Sequence, residues 1–308
     1  MTRPLVSIVT PSYNQAAFLA DTLESVLAQD YPRIEYLVVD DGSTDGSVEI
    51  VERYADRLTW WARQENAGQV VALNRGFARA SGELLGWINS DDTLLPGAVT
   101  TAVAALEANP DALLVYGDNV FIDERGDVVG PLPARAFDPP AMVRACDNHV
   151  PQPGALFRRR ALDLAPLNER GYYFFDFEFV LQLSAHGAVV RIPQALGGYR
   201  LHPESKTAGA PLKKAADYLR VADEFFATRA LPEHLRPHAA EGRATAYLRA
   251  AEYLYEGLDL PGARRRLFQA LRVSPRRVLG SSGLLLKTLV PRSLVERLRR
   301  RRRAAAAA

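Results

Sequence analysis

Four times in its first 92 residues the chain runs an apolar stretch into a helical pattern, and that alternation narrows its fold more than any other feature. "LVSIVT" (5–10), "IEYLVVD" (34–40), "LTWWAR" (58–63) and "ELLGWINS" (83–90) read as strands. After the first strand, Phe18, Leu19, Leu23, Val26 and Leu27 fall on one helical face, with Asn14 at the N-cap position. "VEIVERYA" and "GQVVALNRGFARA" (68–80) supply the next helices. Strands alternating with helices of this length predict a parallel sheet with covering helices. Ligands of such a sheet bind beyond the carboxyl ends of its strands. Thr10-Pro11-Ser12, Asp40-Asp41-Gly42 and Asn89-Ser90-Asp91-Asp92 all stand at those ends, so three polar clusters are expected on one edge.

After Pro110 the pattern changes. "ALLVYGDNVFIDERGDVVG" reads as a strand and a hairpin turning at Glu124-Arg125-Gly126-Asp127. "PQPGALFRRRAL" and "AVVRIPQALGGYRLH" are further short strands around a helix starting near Phe177. Helices over 211–229, 233–256 and 260–273 follow. The expected class is α/β, a mixed sheet flanked by helices with a C-terminal all-helical extension. Its division is 1–210 (halves 1–110 and 111–210), then 211–290, then a basic tail over 291–308.

The motifs have bland and chemical readings. "DDGS" makes a turn, and Ser43, Thr44 or Asp45 can cap the next helix; Asp41, having left its strand, can instead accept hydrogen bonds from a base or ribose. "NSDD" can cap a helix, but a cap needs one carboxylate and two repel. A divalent cation shared with substrate phosphates offsets that repulsion and stabilises a departing diphosphate. "GYYFFDFEFVLQL" places four aromatics, Tyr172 to Phe175, before Asp176; that acid is either a helix cap or a desolvated base beside sugar-binding rings. His202 follows a strand-like run, with Arg200 and Lys206 nearby as cations suited to phosphate.

Residues 4–110, and more loosely on to 207, resemble the donor-binding half of family 2 glycosyltransferases, the inverting group with a GT-A fold. The resemblance rests on "VSIVTPSYN", "VVDDGSTDGS" and "NAGQVVALNRGFARASGELLGWINSDDTLLPGA" in this order and spacing. It implies that Thr10, Pro11, Tyr13 and Asp41 border the nucleotide, and that Asn66, Gly68 and Asn74 run beside the donor. "NSDD" stands where the family has its Asp-x-Asp motif, with Asn89 in place of the first Asp and Ser90 second. Asp91, Asp92 and His202 are then the ligands expected for Mn²⁺ or Mg²⁺, with Asp91, third in the motif, favoured as the direct one and Asp92 as ligand or orienter. Asp176 is the implied general base, with Glu178 as the alternative. The expected activity moves a sugar, most readily from a UDP carrier, to a carbohydrate or lipid-linked acceptor in polysaccharide or glycolipid synthesis. The rival reading is a catalytically silent GT-A module that binds a partner through its helical extension.

Several classes are excluded. There is no G-x-x-x-x-G-K-[ST] and no G-x-G-x-x-G after a strand, which argues against a P-loop NTPase and a dinucleotide oxidoreductase. The Gly-rich first loop of a nucleotidylyltransferase is missing. The single cysteine, Cys146, precludes an intrachain disulfide and a Cys-based zinc site. No apolar run approaches the roughly 18 residues of a spanning helix, and the first residues lead straight into a strand, so a cytoplasmic location is expected.

Charge is divided unevenly. From Leu258 onward there are fourteen Lys or Arg and two acids, a net +12 against −10 for the rest. Such an end suits an anionic membrane surface. Nucleic acid is not the expected partner, because no aromatic platform accompanies the arginines. Leu254–Arg277 also resembles one tetratricopeptide-type helix pair, with Ala263 and Ala270 at the packing positions.

Overall fold

A computed structural model describes residues 3–206, 209–227, 231–279 and 288. The tail expected over 291–308 lies outside the described residues. The chain divides into two compact units. One comprises the residues up to Asp138 together with Asn148–Ser205; the other comprises Pro139–Asp147 and the residues from Lys206 onward. The segment Pro139–Asp147 thus belongs with the helical unit, although it falls inside the 1–210 span.

The first unit is built on a mixed sheet. Its strands are β1 (Val6–Ser12), β2 (Ile34–Asp40), β3 (Trp60–Arg63), β4 (Leu84–Trp87), β5 (Thr93–Leu94), β6 (Ala112–Ile122), β7 (Val128–Leu132), β8 (Leu156–Arg158) and β9 (Ala188–Arg200). They lie in the order β3-β2-β1-β4-β8-β6-β9-β5, with β7 on β6. The first four are parallel, while β8 runs antiparallel to both β4 and β6. The early helices are α1 (Leu19–Leu27), α2 (Ser47–Tyr54), α3 (Gln69–Arg79) and α4 (Ala98–Ala108). Leu19, Leu23 and Val26 of α1 are buried with Val6, Ile8 and Val38 of the sheet and Val99, Val103 and Leu106 of α4. Strands covered on both faces are apolar throughout, which is why β1 and β2 read as unbroken apolar runs.

Strand β1 continues through Pro11 and Ser12, which the sequence placed in a closing turn. Pro11 has the same parity as Val9, whose carbonyl accepts from Ile88 at the end of β4. Its missing N–H therefore points past the last paired residue of β4, Trp87, where no ladder bond is lost. The order of the strands reverses between β1 and β4, because β2 and β3 extend the sheet on one side of β1 and β4 on the other. Crevices at such a switch point are where open α/β sheets bind ligands.

A second core layer is aromatic. Phe77, Trp87, Phe157 and Phe179 meet with ring centroids 5.1–6.4 Å apart. Phe175 packs at 5.9 Å on Trp87. Phe175 and Phe179 lie one turn apart on α7 (Phe175–Leu183), so this cluster docks α7 against the end of β4. The helices α5 (Pro139–Ala145) and α6 (Arg160–Leu164) complete the middle of the chain.

Helices α8 (Pro211–Ala227), α9 (Ala239–Glu256), α10 (Leu260–Val273) and α11 (Pro275–Leu279) belong to the second unit. The helix expected over 233–256 starts later, after a 3₁₀ turn at Arg236–His238 that contains Pro237. Asp259 caps α10 by accepting from Gly262 N–H at 2.9 Å. Ala263 and Ala270 pack with Ala244, Leu248 and Ala251 of α9. Among the described residues no helix is long and apolar enough to cross a membrane.

Candidate functional site

Three groups of polar side chains occupy the carboxyl edge of the sheet. The first surrounds the turn after β4. The backbone N–H of Asp92 donates to Asn89 O at 3.1 Å and closes the turn. The Asp92 carboxylate points inward and is buried. Its Oδ1 accepts from the Arg200 backbone N–H at 3.0 Å and its Oδ2 from Asn89 Nδ2 at 3.1 Å. Burial, followed by the neighbouring charge of Asp91, pushes its carboxyl well above the usual carboxylate range, against the pull of Arg200. Asp91 points the other way and is partly exposed; its Oδ2 lies 3.1 Å from His202 Nε2. Phe18 packs at a tilt against His202, with ring centroids 4.6 Å apart, and carries the Arg200 guanidinium on its ring at 4.9 Å. Ser90 is buried within the turn.

Arg200 corrects a sequence expectation. It is the largest fully buried side chain, and its guanidinium is spent on the protein rather than offered to phosphate. It donates to the carbonyls of Asp91, Asp123 and Glu124 at 2.7–3.1 Å and to Asp21 Oδ2 at 3.1 Å. The cation thus fastens the β4 turn to the β6–β7 hairpin and to α1.

The second group joins the ends of β2 and β3. Asp41 is buried and accepts three hydrogen bonds, from Gln64 Nε2, Ala67 N–H and Gly68 N–H, at 2.7–2.9 Å. Its carboxylate therefore shapes the segment 64–68. Gly42 makes this approach possible: its φ is +83°, and a Cβ there would stand 2.9 Å from Asn66 N. Asn66 is exposed, and Gly68 (φ +97°) opens α3 with free space beside it. An open cleft of about 510 Å³ is lined by Gly42, Arg63, Gln64, Glu65 and Asn66. Gln69 then links the groups by donating to Asn89 Oδ1 at 2.8 Å.

Other expected residues lie differently. Thr10 is fully buried, with its hydroxyl 2.9 Å from that of Tyr36, while Tyr13 is exposed and Pro11 buried. Asn14 does not cap α1, which Phe18 precedes without a side-chain cap. It adopts φ +51° and ties the first two loops together, donating from its N–H to Ser43 Oγ and accepting from Thr44 N–H. Asn74 donates to Leu167 O and Glu169 Oε1. Two atoms that the sequence did not single out are buried without hydrogen-bond partners: Ser12 Oγ and Asp40 Oδ1. Their residues are paired across β1 and β2 at the switch-point end.

The third group is on α7. Asp176 is half-buried in the first turn and is not the N-cap, which is Phe174. Its Oδ2 accepts from Asn148 Nδ2 at 3.1 Å. Glu178 is buried and accepts from Asn168 Nδ2 at 3.1 Å. Phe175 belongs to the aromatic core, so of the four rings before Asp176 it is Tyr172 that stands exposed.

Two side chains here, Asp91 and His202, could contribute to holding a divalent cation. Among the described residues no three His, Cys, Asp or Glu side chains form a complete cation site. Asp91 Oδ2 and His202 Nε2 are hydrogen-bonding partners at 3.1 Å, a separation that also matches the ~3 Å between adjacent ligands of an octahedral ion with bonds of roughly 2.1 Å. Two protein donors fit an ion whose remaining ligands are water and phosphate oxygens.

Residues 7–163, just over half the chain, match the profile of Glycosyl transferase family 2. The putative teichuronic acid biosynthesis glycosyltransferase TuaG of Bacillus subtilis is 42% identical over 93 residues, 29% of this chain and 37% of TuaG. The O-antigen biosynthesis protein RfbC of Myxococcus xanthus is 33% identical over 153 residues, 47% of this chain and 12% of its own length. The chain thus spans well under half of these relatives. Among solved structures, S. aureus TarS 1-349 in complex with UDP superposes with a TM-score of 0.65 at 20% identity, covering 96% of this chain and 91% of that one. The mannosyltransferase PcManGT from Pyrobaculum calidifontis, in complex with GDP-Man and Mn²⁺, gives 0.61 at 21% identity, covering 93% and 81%. The chain belongs to glycosyltransferase family 2 and has its GT-A fold, a Rossmann-like mixed sheet flanked by helices and followed by a helical region.

Proposed function

We propose that this protein transfers a sugar from a nucleotide-diphosphate donor to an acceptor hydroxyl, with inversion at the anomeric carbon. The observation that carries this reading is the pair Asp91–His202 at the turn after β4, where Asp91 is partly exposed while Asp92 is turned inward. The diphosphate would lie at this pair, and the nucleoside would extend toward the cleft beside Gly42 and Asn66. Ser12 Oγ and Asp40 Oδ1, buried and unpartnered, offer hydrogen-bonding capacity at the same edge. Asp41 would act by holding the segment 64–68 against which the nucleoside rests.

Asp91 and His202 would hold Mn²⁺ in preference to Mg²⁺, since Mg²⁺ favours an all-oxygen shell. The bound ion would neutralise charge developing on the departing diphosphate. Asp176 would take the proton of the acceptor hydroxyl as that oxygen attacks, the task of a single general base in an inverting transfer. Asn148, donating to Asp176 Oδ2, would orient the carboxylate for that task.

UDP is the first carrier to test, with GDP and dTDP next. TuaG and RfbC are named for teichuronic acid and O-antigen biosynthesis. Those names favour an acceptor from cell-surface polysaccharide or glycolipid assembly. The test is release of nucleoside diphosphate from a panel of UDP-, GDP- and dTDP-sugars with Mn²⁺ and crude lipid or polysaccharide acceptor. One donor should turn over, and Asp176→Asn should suppress turnover while leaving nucleotide binding intact. A protein that binds none of the nucleotides is instead the silent module.

A further inference from the structure

Helix α10 buries one face and leaves another bare. Leu260, Ala263, Leu267 and Ala270 are buried, the last three in the cluster shared with α9. Phe268 and Leu271, three positions apart and therefore neighbours on the helix surface, are 55% and 40% exposed. Arg265 and Arg272, three before and four after Phe268, flank this pair and are exposed. Arg276 and Arg277 continue the positive charge onto α11. Over 258–279 there are six arginines and one acid, Asp259, whose carboxylate is occupied by the helix cap. Arg266 is held by Gln269 and the Tyr247 ring, and Arg277 by Thr245. Arg265 and Arg272 have no acidic partner among the described residues.

We propose that the Phe268–Leu271 face of α10 docks the protein on an anionic lipid surface. An aromatic and a leucine side chain bordered by guanidinium groups match the boundary between acyl chains and headgroups. Each arginine near anionic lipid contributes about 1 kcal/mol, roughly a fivefold gain in partitioning. A protein partner fits less well, because two exposed apolar side chains are a small core for an interface of roughly 20–30 residues a side. Nucleic acid fits less well too, since one ring is no stacking platform. The sequence beyond 279 repeats the same chemistry, with Leu284, Leu285 and Leu286 and eight Lys or Arg against one acid. Residues 1–257 carry a net −10 and are repelled by the same lipid, so this end of the chain faces the bilayer. Docking requires no sugar transfer and is measured without it.

The experiment is co-sedimentation of the full chain with vesicles of phosphatidylcholine alone and of phosphatidylcholine mixed with phosphatidylglycerol. The protein should sediment only with the mixed vesicles, and less so as salt rises. Phe268→Ser with Leu271→Ser should lower partitioning roughly tenfold. Arg265→Gln with Arg272→Gln should lower it roughly 25-fold. All four positions are exposed or flank the exposed pair, so both variants should keep the parent melting temperature and nucleotide binding. Failure to bind the mixed vesicles, equal binding to pure phosphatidylcholine, or parent-like binding by both variants would each overturn the proposal. Self-association abolished by Phe268→Ser would overturn it as well and assign the face to a second copy.

Discussion

Asp41 and Asp176 are both carboxylates at the carboxyl edge of one sheet, yet they are held in place by different means. Asp41 follows directly from β2 and is gripped by two backbone N–H groups and one side chain of the segment 64–68. The β4 turn is likewise closed by a backbone hydrogen bond and locked by the Arg200 backbone N–H. Asp176 sits beside packed rings, Phe175 and Phe179 against Trp87, and accepts from the amide of Asn148 on a distant loop. Strand order and backbone bonds thus fix the side proposed for the donor, and side-chain packing fixes the side proposed for the acceptor. Changes on the two sides should therefore fail differently.

The largest effect is expected at Asp91. Asp91→Ala removes half of the proposed protein contribution to the cation and should lower turnover by roughly ten-thousandfold, ~5 kcal/mol, with stability unchanged. A steady-state assay beside a denaturant melt separates the two quantities. Asp176→Asn should lower kcat about a thousandfold and leave nucleotide affinity alone. Equal losses in both would mean that the two sides are not separate. Arg200→Ala strips donors from three carbonyls and leaves Asp21 without its partner; urea unfolding should show a loss of about 3 kcal/mol. A loss below about 1 kcal/mol would remove Arg200 as the fastener of the β4 turn. Gly42→Ala forces a side chain into φ +83° against Asn66 N. It should cost about 1–2 kcal/mol of stability and weaken nucleotide binding severalfold in the same titration.

What was legible in the sequence follows the same division. The runs "LVSIVT" and "IEYLVVD" gave away β1 and β2 because strands buried on both faces must be apolar, and β2 has the bounds that its run predicts. The convergence of the three polar clusters followed from parallel order alone. The short β5 went unread, since two residues carry no periodicity, and so did α5, which opens on the Pro139–Pro140 pair that reads as a breaker. Asn14 looked like a cap from its position but is spent on tying two loops, a contact that exists only once β1 and β2 are paired. Arg200, Gln69 and Asn148 carried no local signal, because each acts on residues 20 or more positions away. That Asp92 turns inward could not be read from "NSDD"; it is set by which aspartate meets the Arg200 backbone.

The most direct test of the account is calorimetric titration of UDP, then GDP and dTDP, into the full chain with Mn²⁺ and again with EDTA. The account predicts saturable heat with one of the three that disappears on chelation and in Asp91→Ala. Binding of equal strength in EDTA, or none with any nucleotide, would contradict it.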